Sequence, residues 1–144
     1  MASEQHKELY RRFIEECFTG GNLALVDEII IADAVDHQAP PGAAQGVEGV
    51  KQVISMFRAA FPDLQVTVDQ MIAEGDTLAG RFTMSGTHQG EFMGIPPTGK
   101  RMEITGIDVV RFENGKMVEH WGNSDDLGMM QQLGLIPMPG GGQG

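Results

Sequence analysis

The stretch LQVTVDQMIAEGDTLAGRFTMSGTH, residues 64–88, decides the fold, because its apolar residues recur at every second position. Leu64, Val66, Val68, Gln70 and Ile72 share one parity. Beyond Glu74-Gly75-Asp76, the set Leu78, Gly80, Phe82, Met84, Gly86 and His88 shares the next. A period of two places alternate side chains on one face of a pleated strand, and an acidic Gly-containing triplet between two such runs is a turn. The same period returns downstream. Ile104, Gly106, Asp108, Val110 and Phe112 lie on one face of a third long strand, and Asn114-Gly115, a strong hairpin signal, leads into a fourth from Met117.

Upstream of Pro62 the period is helical. Ser3 caps a helix running to about Thr19, with Leu9, Phe13 and Cys17 on one face, and Gly20-Gly21 ends it. Asn22 caps a second short helix through Leu25, Ile29 and Ile30, and Val35-Asp36-His37-Gln38 reads as a short extended piece. Val50, Val53, Ile54 and Phe57 form a helical stripe within Val47 to Ala60, which Pro62 stops. Asp125 or Asp126 opens a closing helical turn that Gly134 ends. Helices followed by four tightly connected strands define an α+β fold. Its antiparallel sheet must curve, with the N-terminal helices packed on the concave side around a pocket. The chain reads as one domain over 1–137, followed by a mobile Gly-rich tail, 138–144.

Bulk properties exclude several functions. With 41% hydrophobic and 21% charged residues, the 144-residue chain is globular in composition. A net charge of −10 opposes approach to a nucleic acid. No apolar run is long enough to cross a membrane, and the start MASEQHKEL is too polar for a signal peptide. The single Cys17 excludes an intrachain disulfide and points to a reducing, cytoplasmic interior. His37, His88 and His120 with Asp108 or Asp125 lack HxH or HxxxH spacing, so no metal is expected. There is no GxGxxG, GxxxxGK[ST] or GxSxG motif for a nucleotide or a serine nucleophile.

Polar groups on apolar faces carry the functional signal. Asp108 lies between Gly106 and Val110, His88 ends the face of Phe82 and Met84, and Asp125 shares parity with Met117 and Trp121. A buried carboxylate needs partners, a shifted pKa or a wet cavity. Asp125 has a second reading as a helix cap, and Asp108 and His88 as structural hydrogen-bonding groups. His120 is on the opposite parity and is expected to face solvent or a partner subunit. His37 falls at the pocket edge, and His6 reads as an exposed helix residue.

The run Gly86-Thr87-His88-Gln89-Gly90-Glu91-Phe92, then Gly94-Ile95-Pro96-Pro97-Thr98-Gly99-Lys100, resembles the central signature of the SnoaL-like polyketide cyclases (ester cyclases) of the NTF2-like superfamily. Gly106-Ile107-Asp108, Arg111-Phe112, Glu119-His120-Trp121, Asp125, Leu127-Gly128 and Gln131-Gln132-Leu133-Gly134 continue the likeness. Upstream it takes in His37-Gln38, Gly46, Gly49 and Phe61-Pro62-Asp63. The resemblance implies a cone-shaped α+β barrel and ring closure by intramolecular aldol chemistry on an apolar carbonyl compound, with neither metal nor organic cofactor. It places the acid/base carboxylate at Asp125, with His88 and Asp108 to polarise the enolate oxygen or orient Asp125, and His37 at the mouth. Trp121, Phe57, Phe82, Met84, Phe92 and Met93 would be the apolar walls. It also implies a homodimer through the outer sheet face, where Thr105, Ile107 and Val109 lie. The alternatives on the same fold are a non-catalytic small-molecule binding protein, or a hydroxylase, isomerase or hydrolase.

Overall fold

Helix α1 (Ala2–Arg12) runs without a break into a π-helical segment, Phe13–Thr19, so the first helical stretch ends where Gly20-Gly21 requires. Asn22 caps α2 (Leu23–Ile29) by accepting from the Leu25 amide at 3.2 Å. Strand β1 (Ile30–Asp36), helix α3 (Gly46–Ala60), strands β2 (Gln65–Glu74), β3 (Thr77–Thr87), β4 (Arg101–Glu113) and β5 (Lys116–Ser124), and helix α4 (Asp126–Gln132) follow. The computed structural model describes residues 2–39 and 42–136. The tail 138–144, and with it the domain boundary at 137, lies outside the described residues. No helix among them is long and apolar enough to cross a membrane.

The sheet has the order β1-β5-β4-β3-β2 and curves around the helices without closing. Its four long strands are antiparallel neighbours, as their period and turns require. The extended piece near Val35 is longer than its sequence suggests. It joins as a fifth strand, parallel to β5, with Asp36 opposite His120. A parallel neighbour needs a crossover connection, and here the connection from β1 to the rest of the sheet runs through α3.

Side chains of β3 and β4 alternate as their sequences predict. Leu78, Phe82 and Met84 face inward from β3, and Met102, Ile104, Val110 and Phe112 from β4. The outer strands depart from simple alternation. A β-bulge between Val68 and Gln70 turns the end of β2 over, so Ile72 is exposed while Met71 and Ala73 pack against the core. A second bulge, at Val118, lets Phe112 pair with Met117 but Arg111 with Glu119. From there on, His120 and Gly122 stand opposite Val110 and Asp108 on the inner face, while Trp121 stands opposite Val109 on the outer face.

Tyr10, Ile14 and Cys17 press the first helical stretch onto the concave face. Thr19 fixes its end. Its hydroxyl donates to the Val66 carbonyl at 3.0 Å and accepts from the Val66 amide at 2.9 Å. Each large side chain buried here contributes about 1.5–3 kcal/mol. His6, expected in solvent, is instead buried and stacked on Phe112 at 4.2 Å between ring centroids, because α1 lies across the sheet along its whole length.

Candidate active site

Four elements bring ionisable groups to one place on the concave face. Helix α1 supplies Tyr10, β1 Asp36, β4 Asp108 and β5 His120. The Tyr10 hydroxyl donates to Asp108 Oδ2 at 2.7 Å. His120 Nε2 lies 2.7 Å from Asp108 Oδ1, and His120 Nδ1 lies 2.8 Å from Asp36 Oδ1. Tyr10 is fully buried and Asp108 nearly so, whereas the side chains of His120 and Asp36 remain 29% and 25% exposed, so solvent reaches one side of the chain. Tyr10 can lie this close to β4 because Gly80, paired with Asp108, has no side chain. A Cβ there would stand 2.3 Å from the Tyr10 ring.

The electrostatics follow from these partners. Burial lowers the His120 pKa, but the hydrogen bonds and charges of Asp108 and Asp36 together overcome it and push it up to about 9. Burial raises Asp36, yet the bonds from His120 and from the Gln38 and Ala39 backbone hold its carboxyl below its ordinary value. Tyr10 is held strongly in its neutral form, first by burial and then by the adjacent Asp108 charge. Near neutral pH the chain is therefore an imidazolium between two carboxylates, with a phenol as donor at its buried end.

This arrangement makes stability depend on pH. The His120 pKa is raised from its ordinary 6.5, so its contribution is complete below 6.5 and is lost as pH rises through about 9. The depressed Asp36 contributes above its ordinary 3.8 and is lost as pH falls through its lower folded value. Thermal or urea unfolding is expected to lose about 2–3 kcal/mol between pH 6.5 and 9.5, a loss that His120→Asn should abolish. A wild-type curve that stays flat over that window would show that His120 is not held protonated.

The residues expected at the site fall into three places. Asp108 is in the polar chain. His88 is fully buried at the far end of β3, eight positions beyond Gly80, or about 26 Å of strand. There its Nδ1 accepts from the Thr98 amide at 3.2 Å, and its Nε2 has no partner among the described residues. Phe57, Phe61 and Phe92 surround that end as an aromatic cluster, while Phe82 and Met84 are buried between it and Asp108. Trp121 is 38% exposed on the outer face and stacks on His37, whose Nε2 lies 2.7 Å from Glu119. Met93 points outward from a tight turn and is 67% exposed. Trp121, His37 and Met93 therefore line no interior wall.

Asp125 is exposed and caps α4, accepting from the Gly128 amide at 2.9 Å. It borders a shallow depression with Arg81, Thr105, Ile107 and Asn123, on the face opposite Asp108. Its parity with Met117 is cancelled by the Val118 bulge, and it converges with neither His88 nor Asp108. Asp125→Ala is expected to cost about 1 kcal/mol in unfolding free energy, the worth of a helix cap, with catalytic rate unchanged. A large loss of rate at retained stability would return Asp125 to the chemistry.

Three members of the polar chain were not expected at the acid/base site. In the sequence Tyr10 stands beside the helix face of Leu9, Phe13 and Cys17, Asp36 lies in the short extended piece, and His120 was expected to face solvent or a partner subunit. His120 lies off the apolar parity of its strand, and only the bulge in β5 and the parallel β1 pairing bring it and Asp36 to the Tyr10–Asp108 pair.

The chain is similar to known proteins over most of its length. A family model described as SnoaL-like polyketide cyclase matches residues 8–133. Nogalonic acid methyl ester cyclase of Streptomyces nogalater is 28% identical over 119 residues, which are 81% of this chain and 89% of that protein. The structure of TsrD from Streptomyces laurentii superposes with a TM-score of 0.85 at 28% identity, covering 92% of this chain and 97% of that one. IdmH from Streptomyces antibioticus is 38% identical with a TM-score of 0.75, covering 93% and 99%.

Proposed function

The chain belongs to the SnoaL-like polyketide cyclase family, and from that premise we propose that it is a cyclase-type enzyme that closes a ring in a polyketide ester by intramolecular aldol addition, with Asp108 and His120 as its acid/base pair. The observation that carries this reading is the hydrogen-bonded chain Tyr10–Asp108–His120–Asp36, solvent-accessible at His120 and opposite in charge at its two central members. Two adjacent groups with opposed protonation states suit a reaction that needs a base and then an acid.

The steps balance on these side chains. Asp108 takes a proton from the carbon between two carbonyls, giving an enolate and a carboxylic acid. The enolate carbon attacks a second carbonyl of the same molecule, forming the ring C–C bond and an alkoxide. His120 gives its proton to that alkoxide. The proton on Asp108 then passes to His120 through their 2.7 Å hydrogen bond, and both groups return to their starting state. Asp36 holds the imidazolium in charge and orientation, and the Tyr10 hydroxyl fixes the second oxygen of Asp108. Phe82 and Met84, buried on the same inner face, supply apolar flanks.

The test is ring closure of nogalonic acid methyl ester, the compound for which the Streptomyces nogalater relative is named, followed by product chromatography across pH. Enzyme-dependent product is expected, with a rate that falls as pH rises through about 9, where His120 loses its proton. Absence of both product and enzyme-dependent deuterium exchange at the acidic C–H would refute the reading. We also propose that two copies pair through the outer sheet face, where Thr105 and Ile107 are exposed. Sedimentation showing only a 15.6 kDa species would refute that pairing.

A further inference from the structure

Gly122 occupies a telling position. It pairs directly with Asp108 across β4 and β5, so a side chain there would project onto the inner face beside the acid/base pair. A Cβ at Gly122 would stand 2.4 Å from Gln38 Oε1, 2.9 Å from Gln38 Cδ and 3.0 Å from His120 Cε1. The space that Gly122 leaves is therefore filled by Gln38 Oε1, with His120 Cε1 bordering the same space. Gln38 follows β1, and its backbone N–H donates at 2.9 Å to Asp36 Oδ1, the same oxygen that lies 2.8 Å from His120 Nδ1. One carboxylate oxygen thus fixes both the imidazole and the backbone that carries the amide.

The side-chain amide of Gln38 has no hydrogen-bond partner among the described residues, and Gln38 is exposed. With Oε1 turned toward Gly122 and His120, the NH2 on the same carbon is open to solvent, has no acceptor among the described residues, and is equipped to bind a carbonyl oxygen. We propose that Gln38 is a substrate-binding, specificity-determining residue. Its amide donates to a ketone or ester carbonyl of the substrate next to His120, and Gly122 is required because any side chain there would displace it. The site presents two carboxylates and one imidazolium, with a neutral amide at the opening, so it favours an ester or ketone over a free carboxylate.

This inference deepens the cyclase reading and rests on it, so its test measures binding without chemistry. The probe is the gem-dimethyl analogue of ethyl benzoylacetate, whose blocked central carbon has no acidic proton. Its dissociation constant is measured by NMR titration for wild type, Gln38→Leu, Gly122→Ala and the double variant. Gln38→Leu keeps the size and removes the donor, and is expected to weaken binding about fivefold, the scale of one neutral hydrogen bond. Gly122→Ala is expected to match it by pushing the amide aside. The double variant is expected to bind no worse than either single variant, because both changes remove the same contact. Matching thermal melts establish that all four proteins fold. Wild-type affinity in Gln38→Leu, additive losses in the double variant, or a wild type that does not saturate would each overturn the assignment. Loss of exchange at the C–H of unblocked ethyl benzoylacetate, with binding intact, would instead count against the acid/base reading alone.

Discussion

Asp108→Asn is expected to lower the rate of ring closure about a thousandfold, within the range that a general acid/base group supplies. The asparagine matches the carboxylate in size but removes the base and one of the two charges that keep His120 protonated. Its single carbonyl oxygen can accept from Tyr10 or from His120, not from both, and its NH2 then faces a donor. Leaving a donor so poorly partnered costs about 1–3 kcal/mol, which a melting curve reads separately from the rate. The remaining activity should also lose its high-pH limb near 9 and fall away at lower pH, because His120 keeps only Asp36 as its anion. A variant that is folded and within tenfold of wild type would move the base elsewhere, and Asp125→Asn in the same assay would show whether it moves there.

Gly80→Ala carries the largest expected effect on stability. The added methyl would lie 2.3 Å from Tyr10 Cε2 and 2.5 Å from Cζ, and Tyr10 is fully buried, with its hydroxyl bound to Asp108. The ring cannot retreat into solvent, so α1 must lift from β3 or the tyrosine must leave its rotamer. Overpacking of this kind costs about 3 kcal/mol, near 10 °C in melting temperature for a chain of this length. Activity should fall with it, because the donor that fixes Asp108 is displaced. Tyr10→Leu in the Gly80→Ala background should recover much of the stability and none of the lost rate, since it relieves the clash without restoring the hydroxyl. If Gly80→Ala melts like wild type, Tyr10 is not seated against Gly80 as described.

Much of the architecture was legible in the sequence because it depends on local rules. The period of two in residues 64–88 makes β2 and β3 a hairpin about Gly75, Asn114-Gly115 makes the next one, and Asn22 and Asp125 stand where helices need an acceptor for their first free amides. The burial of Asp108 followed from its neighbours Gly106 and Val110 on the same parity. These features are decided by residues a few positions apart, so the chain states them directly.

What the tertiary structure alone decided is which side chains meet. A bulge places one unpaired residue in a strand, and whether it forms depends on the partner strand, so the alternation of the sequence runs on through it unmarked. The bulge at Val118 therefore reversed the faces of His120 and Trp121, bringing the histidine to Asp108 and sending the tryptophan out to His37, and the bulge at Asp69 did the same to Ile72. The parallel pairing of β1 with β5, which sets Asp36 against His120, joins residues 84 positions apart through a crossover that no local period records. Tyr10 meets Asp108 across 98 positions because Gly80 leaves room for its ring. The sequence by itself determined the elements and the buried carboxylate. Long-range register, fixed only when the sheet assembles, decided that the carboxylate has an imidazolium beside it.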